Sequence, residues 1–124
     1  MKELTKAEEQ LMQYLWNLKK AYLKDIVEQY PEPAPAYTTI STVVNVLVKK
    51  GFIGFETHGK SREYFPQLTK EKYTRQSMNG LMSSLFDNSA KKFASYFASQ
   101  DNLSVEELQE IRKLIDEQID QRTP

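Results

Sequence analysis

Residues 38–66 read TTISTVVNVLVKKGFIGFETHGKSREYFP, and the spacing of the apolar residues changes within this stretch. Over residues 40–48 the apolar residues recur every three or four positions, which places them on one face of a helix. Gly51, directly after two lysines, is typical of the position just past a helix C-terminus. Beyond it the spacing is close to two, and the basic sequence HGKS at 58–61 interrupts it, so the pattern predicts a β-hairpin.

Two further helices are predicted before this stretch. Residues 5–8 have the pattern of a capping box, and the apolar residues after them continue one helical face to about Leu18. A second, shorter helix is predicted over residues 23–30, and the proline-rich connector at 31–35 ends it. Thr38 is the expected N-cap of the third helix.

Helical patterns return from residue 69 onward, and the last of them opens with a second capping box at residues 104–107. The chain is therefore predicted to be mainly α, with an N-terminal winged helix-turn-helix of three helices and a two-stranded wing at residues 1–68. Residues 69–124 are predicted to form a helical dimerisation domain, because they carry more apolar side chains than two or three short helices can bury alone. The expected dimer contacts are Phe93, Phe97, Leu108, Ile111, Ile115 and Ile119.

The composition excludes several classes of function. The 124 residues include no cysteine, which rules out disulfides, thiolate metal sites, iron–sulfur clusters and cysteine nucleophiles. The single histidine, His58, is predicted to be an exposed loop residue with no second ligand nearby, and neither a metal nor a cofactor is expected. The carboxylates have no identifiable catalytic partner, so the protein is not expected to be an enzyme. No apolar stretch is long enough for a membrane span or a signal-peptide core, which favours a cytoplasmic protein without a membrane partner.

The polar side of the third helix is the predicted DNA-binding surface. In a winged helix-turn-helix the third helix enters the major groove, and the wing lies on the flanking backbone. The residues expected to face DNA from this helix are Thr38, Thr39, Ser41, Thr42, Asn45 and Lys49. Taken alone, this set is equally well explained as a solvated helix face. Lys60 and Arg62 near the hairpin tip favour DNA, because long cations there can reach phosphates.

Four segments also resemble one known family. The segments are residues 4–16, 39–51, 59–64 and 101–108. In this order and spacing they resemble the penicillinase repressor and methicillin-resistance regulator family of the BlaI/MecI type, and the resemblance extends to about Glu117. It implies a bacterial, dimeric transcriptional repressor. Its winged helix would bind half of an inverted-repeat operator in double-stranded DNA, and its C-terminal helices would form the dimer contact.

The resemblance implies roles for individual residues. The positions that would face bases and nearby phosphates are Thr38, Thr39, Ser41, Thr42 and Asn45, while Lys60 and Arg62 would hold the DNA backbone. Ser41 departs from the family pattern, which often has a large arginine or tyrosine at that position. A serine cannot make the bidentate contact to guanine that an arginine makes, so the operator sequence cannot be carried over from the family.

Relief of repression is expected to act through the dimer. In the antibiotic-sensing branch the resemblance implies proteolysis within the C-terminal helices at an Asn–Phe bond, which corresponds here to Tyr96–Phe97. A sensor protease or a competing partner would then release the DNA. The copper-responsive branch uses a cysteine cluster, which this chain lacks. Two other functions stay open at this point, namely a winged-helix module for protein–protein contact and a ligand-responsive regulator of another family.

Overall fold

The structure is a computed structural model that describes residues 3–124, so the first two residues of the predicted 1–68 domain lie outside it. Its elements in chain order are α1 (Lys6–Leu18), β1 (Ala21–Tyr22), α2 (Leu23–Glu28), α3 (Tyr37–Lys50), β2 (Ile53–His58), β3 (Ser61–Pro66), α4 (Lys70–Leu85), α5 (Ala90–Ala98) and α6 (Val105–Arg122). The prediction of a mainly helical chain with an N-terminal winged helix-turn-helix is confirmed. The chain divides into two units, one ending at Met78 and the other comprising Asn79–Pro124.

Glu8 joins the start of α1 to the end of α3. The predicted capping box is present, because the Glu8 N–H donates to Thr5 Oγ1 at 3.2 Å and the Thr5 N–H donates to Glu8 Oε1 at 2.9 Å. Lys50 Nζ donates to both oxygens of the same carboxylate, at 2.9 and 2.8 Å. Burial raises the pKa of Glu8, but the hydrogen bonds from Lys50 and Thr5 outweigh burial and hold that pKa below its ordinary value.

The first three helices and the sheet enclose one apolar core. Its largest fully buried side chains are Leu11, Met12, Leu15, Ile26, Ile40, Val44, Leu47 and Ile53. The apolar stripe predicted for the third helix is confirmed at Ile40, Val44 and Leu47. Because this stripe faces the core, the helical period turns the polar residues between its members toward solvent.

The prediction that Thr38 is the N-cap of α3 is wrong. Ala36 occupies that position in extended backbone, with φ −61° and ψ 148°, and Thr38 lies in the first helical turn. Ala36 offers no side-chain hydrogen bond, but the first-turn residues are exposed, so their free N–H groups can bond to water. At the other end, Gly51 takes the left-handed φ of 86° that the glycine after two lysines predicts.

The predicted hairpin is confirmed, and a third strand joins it. β2 pairs with β3 in antiparallel register along its whole length, and Gly59 in the turn has a φ of 64°, a conformation that favours glycine. β1 pairs with β3 through Ala21 opposite Tyr64 and Tyr22 opposite Glu63. The sequence does not predict β1, because two residues are too few to show a period.

The first unit extends past the hairpin into α4. The Tyr73 ring lies 5.8 Å from the Trp16 ring and 6.3 Å from the Phe52 ring. The Trp16 indole N–H donates to the carbonyl oxygen of Leu68 at 2.8 Å. These contacts hold the start of α4 in the first unit, whereas the sequence divides the chain after residue 68.

The second unit contains the end of α4, all of α5 and all of α6. Phe86 lies 5.3 Å from Phe93 and 5.9 Å from Tyr96, and Phe93 stacks on Phe97 at 5.8 Å between ring centroids. The second predicted capping box is present at the start of α6. No residue of these helices is fully buried, so the unit lacks an enclosed core in the part of the chain described. Within residues 3–124, no helix combines the length and the apolar character that crossing a membrane requires.

Candidate nucleic-acid interface

The predicted DNA-facing residues of α3 lie on its outer side. The exposed members are Thr38, Thr39, Thr42, Asn45 and Lys49, and Ser41 is half-buried. Their position follows from the apolar stripe, because residues between its members on a 3.6-residue period point away from the core. The helix therefore presents hydroxyl, amide and ammonium groups on one continuous surface.

A groove runs between this surface, the start of α2 and the hairpin, with a volume of about 740 Å³. Ser41 and Asn45 line it from α3, while Lys60 and Arg62 line it from the hairpin. The structure therefore brings together four residues that the sequence assigns to DNA. The remaining predicted residues, Thr38, Thr39, Thr42 and Lys49, do not line the groove, and they occupy the adjoining exposed surface of α3.

The side chains of Thr42 and Asn45 differ in which hydrogen-bonding groups remain free. The Thr42 hydroxyl donates to the carbonyl oxygen of Thr38 at 2.9 Å, so its proton is used inside the helix and its oxygen remains an acceptor. The exposed Asn45 amide keeps both donor and acceptor groups free in the described structure. Asn45 is therefore the more versatile group for contacting a base edge.

The two hairpin cations are held differently. Lys60 lies in the turn between β2 and β3 and is exposed. Arg62 lies in β3, and its guanidinium carbon is 4.2 Å from the centroid of the Phe55 ring, within range of a cation–π contact. Stacking limits the positions of the Arg62 side chain but leaves the edge of the guanidinium open to an anion. Neither cation forms an ion pair among residues 3–124.

Eight of the twelve residues that line the groove are not among the predicted DNA-facing residues, and three of these eight can contact a base or a phosphate. Tyr22 comes from β1, Lys24 from the first turn of α2 and Tyr37 from the first turn of α3. Tyr37 is 56% exposed, which is unusual for a large aromatic side chain at a helix start. In the sequence, the signal for Tyr37 is its position directly before Thr38, at the start of the predicted DNA-binding helix.

The expectation that His58 has no second ligand nearby is wrong. His58 Nε2 lies 3.3 Å from Glu63 Oε1 and 3.8 Å from Glu56 Oε2. The hairpin register explains this cluster, because Glu56 pairs directly with Glu63 and residues two apart on a strand share one face. Glu56 precedes His58 by two residues on β2, and Glu63 reaches His58 from β3, a proximity that spacing along the chain does not show. His58 is exposed, as predicted, but ends β2 instead of lying in a loop.

The predicted dimer residues fall into two groups. Phe93 and Phe97 already stack on each other within one chain, in α5. On α6, by contrast, Ile115 and Ile119 are 53% and 55% exposed, and Leu114 beside them is 62% exposed. These three residues and Ile111 line a shallow groove along α6, with Leu108 half-buried one turn earlier. Leu114 is not among the predicted dimer residues.

The predicted scissile bond lies inside a helix. Tyr96 and Phe97 belong to α5, and the Tyr96 side chain is 59% exposed. The Tyr96 carbonyl oxygen accepts hydrogen bonds from Ser99 Oγ at 2.7 Å and from Gln100 Nε2 at 2.9 Å, close to the helix end. Access to the bond by a protease therefore requires local opening of the last turn of α5.

Known proteins resemble this chain over most of its length. The sequence profile of the penicillinase repressor family matches residues 4–117. The methicillin resistance regulatory protein MecI of Staphylococcus aureus is 23% identical over 114 residues, which cover 91% of this chain and 93% of that protein. The penicillinase repressor of Bacillus licheniformis is 20% identical over 116 residues, covering 93% of this chain and 91% of the relative. The solution structure of the DNA-binding domain of the repressor BlaI superposes with a TM-score of 0.51 at 22% identity, covering 59% of this chain and 94% of that domain.

Proposed function

The chain belongs to the penicillinase repressor family, and from this membership we propose that it is a dimeric repressor of transcription that binds an inverted-repeat operator in double-stranded DNA. The family itself makes the chain a DNA-binding transcriptional repressor of the BlaI/MecI type. The observation that carries the proposal is the groove in which Ser41 and Asn45 of α3 face the hairpin cations Lys60 and Arg62. This function requires no catalytic residue, and it places the protein in the cytoplasm with its operator.

We assign base reading to α3. Asn45 can bond an adenine in a bidentate manner in the major groove, and the Ser41 hydroxyl can donate to or accept from several base edges. Thr38, Thr39 and Thr42 lie on the same exposed surface and would contact bases or the nearest phosphates. Lys49, in the last turn, would meet a phosphate, because its long side chain reaches past the helix end.

We assign affinity without sequence preference to the hairpin. The net charge of the whole chain is zero, so attraction to DNA must come from cations gathered locally. Lys60 in the turn and Arg62 on Phe55 are two such cations, and neither is neutralised by an ion pair within the described residues. Stacking on Phe55 reduces the conformational entropy that Arg62 loses when it meets a phosphate.

We propose that α6 joins two copies of the chain. Its groove of isoleucine and leucine side chains is exposed in a single chain, and burying each such side chain contributes roughly 1.5–3 kcal/mol. A second copy presents the same stripe and would cover it in a symmetric contact. The two α3 helices would then address the two halves of an inverted repeat. Phe93, Phe97, Leu108 and Ile111 would extend or support this contact.

We propose that repression is relieved by separating the dimer. Cleavage at Tyr96–Phe97 would detach α6 from the winged helix, and a partner that competes for the α6 stripe would have the same effect. Either route leaves α3 intact and removes the gain in affinity that comes from linking two half-sites. A blot of tagged protein from induced cells tests the proteolytic route. Derepression with an intact, dimeric chain would exclude both routes.

The DNA-binding proposal is tested by capture of genomic fragments. Purified protein is mixed with sheared DNA from its own genome in competition with bulk DNA, and the retained fragments are sequenced. We expect a small set of fragments that share an inverted repeat. Retention that is no stronger than that of bulk DNA, even at low salt, would contradict the proposal and favour a winged-helix module for protein–protein contact.

A further inference from the structure

One face of the hairpin gathers three side chains that are common metal ligands, and one of them, His58, also lines the groove beside Tyr22. Glu56 of β2 lies directly opposite Glu63 of β3, and His58 is two residues further along β2 on the same face. One oxygen from each carboxylate and one imidazole nitrogen lie within 4.8 Å of one another. The register of the two strands therefore determines which side chains form this cluster.

The distances are close to those of a coordination sphere. Ligand atoms that bind zinc tetrahedrally at about 2.0–2.1 Å stand roughly 3.3 Å apart from one another. His58 Nε2 and Glu63 Oε1 are already 3.3 Å apart. Glu56 Oε2 is 3.8 Å from the same nitrogen, and its side chain is 57% exposed, so a small rotation brings it into range. Both carboxylates thus approach the same imidazole nitrogen.

The electrostatics of the cluster also favour a cation. Like charges directly opposite each other on antiparallel strands destabilise the strand pair. Among residues 3–124, the only ion-pair partner of Glu56 or Glu63 is His58, which carries a charge only when it is protonated. The two paired carboxylates repel each other, and a cation between them would remove this repulsion.

We propose that Glu56, His58 and Glu63 form a binding site for a divalent transition-metal ion, with Zn²⁺ as the best match. One imidazole nitrogen and two carboxylate oxygens are suitable zinc ligands, and water can complete the coordination because the site is exposed. Mg²⁺ is a poor match, since it prefers oxygen ligands in a strict octahedron and keeps much of its water.

The site has a consequence for DNA binding that rests on the proposed function. A bound divalent ion would neutralise two negative charges on the same hairpin that carries Lys60 and Arg62. Glu63 directly follows Arg62 in β3 and pairs with Glu56 across the strands, and charges on adjacent residues are only partly screened at physiological ionic strength. The metal would therefore raise the affinity of the wing for phosphates, and the site would act as a positive effector site.

The single histidine makes the binding test unambiguous. Protein without a histidine tag is titrated with Zn²⁺ alone at a fixed pH, because metal affinity depends on pH. The His58 imidazole signals are followed by NMR while calorimetry measures the stoichiometry. We expect a saturable shift with one ion per chain. His58→Ala and Glu63→Gln should each weaken binding roughly tenfold or more. Glu28→Gln, which removes an exposed carboxylate on α2, should leave binding unchanged, and Mg²⁺ should not shift the signals.

The site is overturned if Zn²⁺ produces no saturable shift of the imidazole signals. It is equally overturned if Glu56→Gln and Glu63→Gln bind as tightly as the original chain, with circular dichroism showing that all variants are folded. In a second arm, Zn²⁺ should strengthen binding to a retained genomic fragment in the original chain but not in His58→Ala. Zinc binding by a chain that retains no DNA under any condition would support the site and contradict the proposed function.

Discussion

The two units of the chain differ in whether their apolar residues are covered. Every buried apolar residue of the described chain lies in the first unit, from Leu11 to Tyr64. In the second unit no residue is fully buried, and the stripe on α6 leaves Leu114, Ile115 and Ile119 more than half exposed. The first unit therefore buries an apolar core within one chain, whereas the second has an apolar surface that a single chain does not cover.

This difference supports different proposed roles for the exposed residues of the two units. In the first unit the core takes up most of the apolar residues, and the groove around Asn45 and Lys60 is largely polar and basic, with the exposed Tyr22 and Tyr37 in its lining. In the second unit the surface that remains is apolar. A polar and basic groove matches DNA, and an apolar stripe matches another protein surface, which supports the proposal that the first unit reads DNA and the second joins two copies.

Breaking the α6 stripe should have the largest effect. Ile115→Glu places a charge in the proposed contact, where it would lose water without gaining a partner. Sedimentation at micromolar concentration should show monomers, and affinity for the inverted repeat should fall roughly 10²–10⁴-fold because the two half-sites are no longer linked. Gln109→Glu, which adds the same charge on α6 away from the stripe, is the matched control. A dimeric Ile115→Glu variant with full affinity would refute the contact.

Truncating one leucine in each unit compares a buried apolar side chain with an exposed one. Leu47 is fully buried, and Leu47→Ala should lower the free energy of unfolding by about 2–5 kcal/mol. Leu114 is 62% exposed in one chain, so Leu114→Ala made in the Ile115→Glu monomer should cost within about 0.5 kcal/mol. Urea denaturation measures both. Equal losses at the two positions would mean that α6 packs inside its own chain.

Substitution on α3 should change sequence preference and leave stability unaffected. Asn45→Ala should cost about 1–3 kcal/mol on the preferred site and much less on random DNA. Thr42→Ala should cost less, because the Thr42 hydroxyl already donates to the carbonyl oxygen of Thr38. Asn17→Ala, an exposed amide on α1, is the control, and fluorescence anisotropy on both DNAs gives the comparison. If Asn45→Ala weakened binding equally on all DNA sequences, Asn45 would contact phosphates and would not read bases.

The hairpin should affect all DNA sequences alike. Lys60→Ala removes one phosphate contact per wing, so the slope of log affinity against log salt should fall by about 0.9 for each wing engaged. Lys113→Ala on α6 removes the same charge from the second unit and should leave the slope unchanged. An unaltered salt dependence in Lys60→Ala would show that the turn does not touch DNA.

The smallest effect concerns acid stability of the first unit. The folded pKa of Glu8 lies below its ordinary value of 4.5, since Lys50 and Thr5 stabilise the carboxylate despite its burial. The resulting stabilisation is present above the ordinary pKa and is lost as the pH falls through the folded pKa. Thermal melts between about pH 3 and pH 7 should therefore show a steeper acid loss for the original chain than for Glu8→Gln. If the melting temperatures of the two proteins fell in parallel as the pH was lowered, Glu8 would make no such contribution to stability.

The sequence predicts the features that repeat along the chain. The capping residues Thr5 and Glu8, the stripe from Ile40 to Leu47 and the hairpin all show local patterns, and the structure confirms them. The exposed α6 stripe belongs with these features, since a period of 3.6 over eighteen residues is easily seen.

What the sequence does not predict depends on contacts between distant segments. β1 is defined only by its pairing with β3, and the first unit reaches Met78 because Tyr73 packs on Trp16 and Phe52. The two carboxylates around His58 are brought there by the register of two strands, which proximity along the chain does not reveal. The prediction of Thr38 as the N-cap of α3 rests on side-chain capping preference alone. The helix begins at Tyr37 instead, because the backbone of Ala36 takes the extended N-cap conformation.

A hydroxyl-radical footprint on a retained genomic fragment tests the division between the two units most directly. If the first unit reads DNA and α6 joins two copies, the protected positions should be symmetric about a two-fold axis. Their two half-sites should lie one helical turn of about 10–10.5 base pairs apart, or a multiple of it. A single protected patch without two-fold symmetry, at protein concentrations that saturate the fragment, would contradict the account.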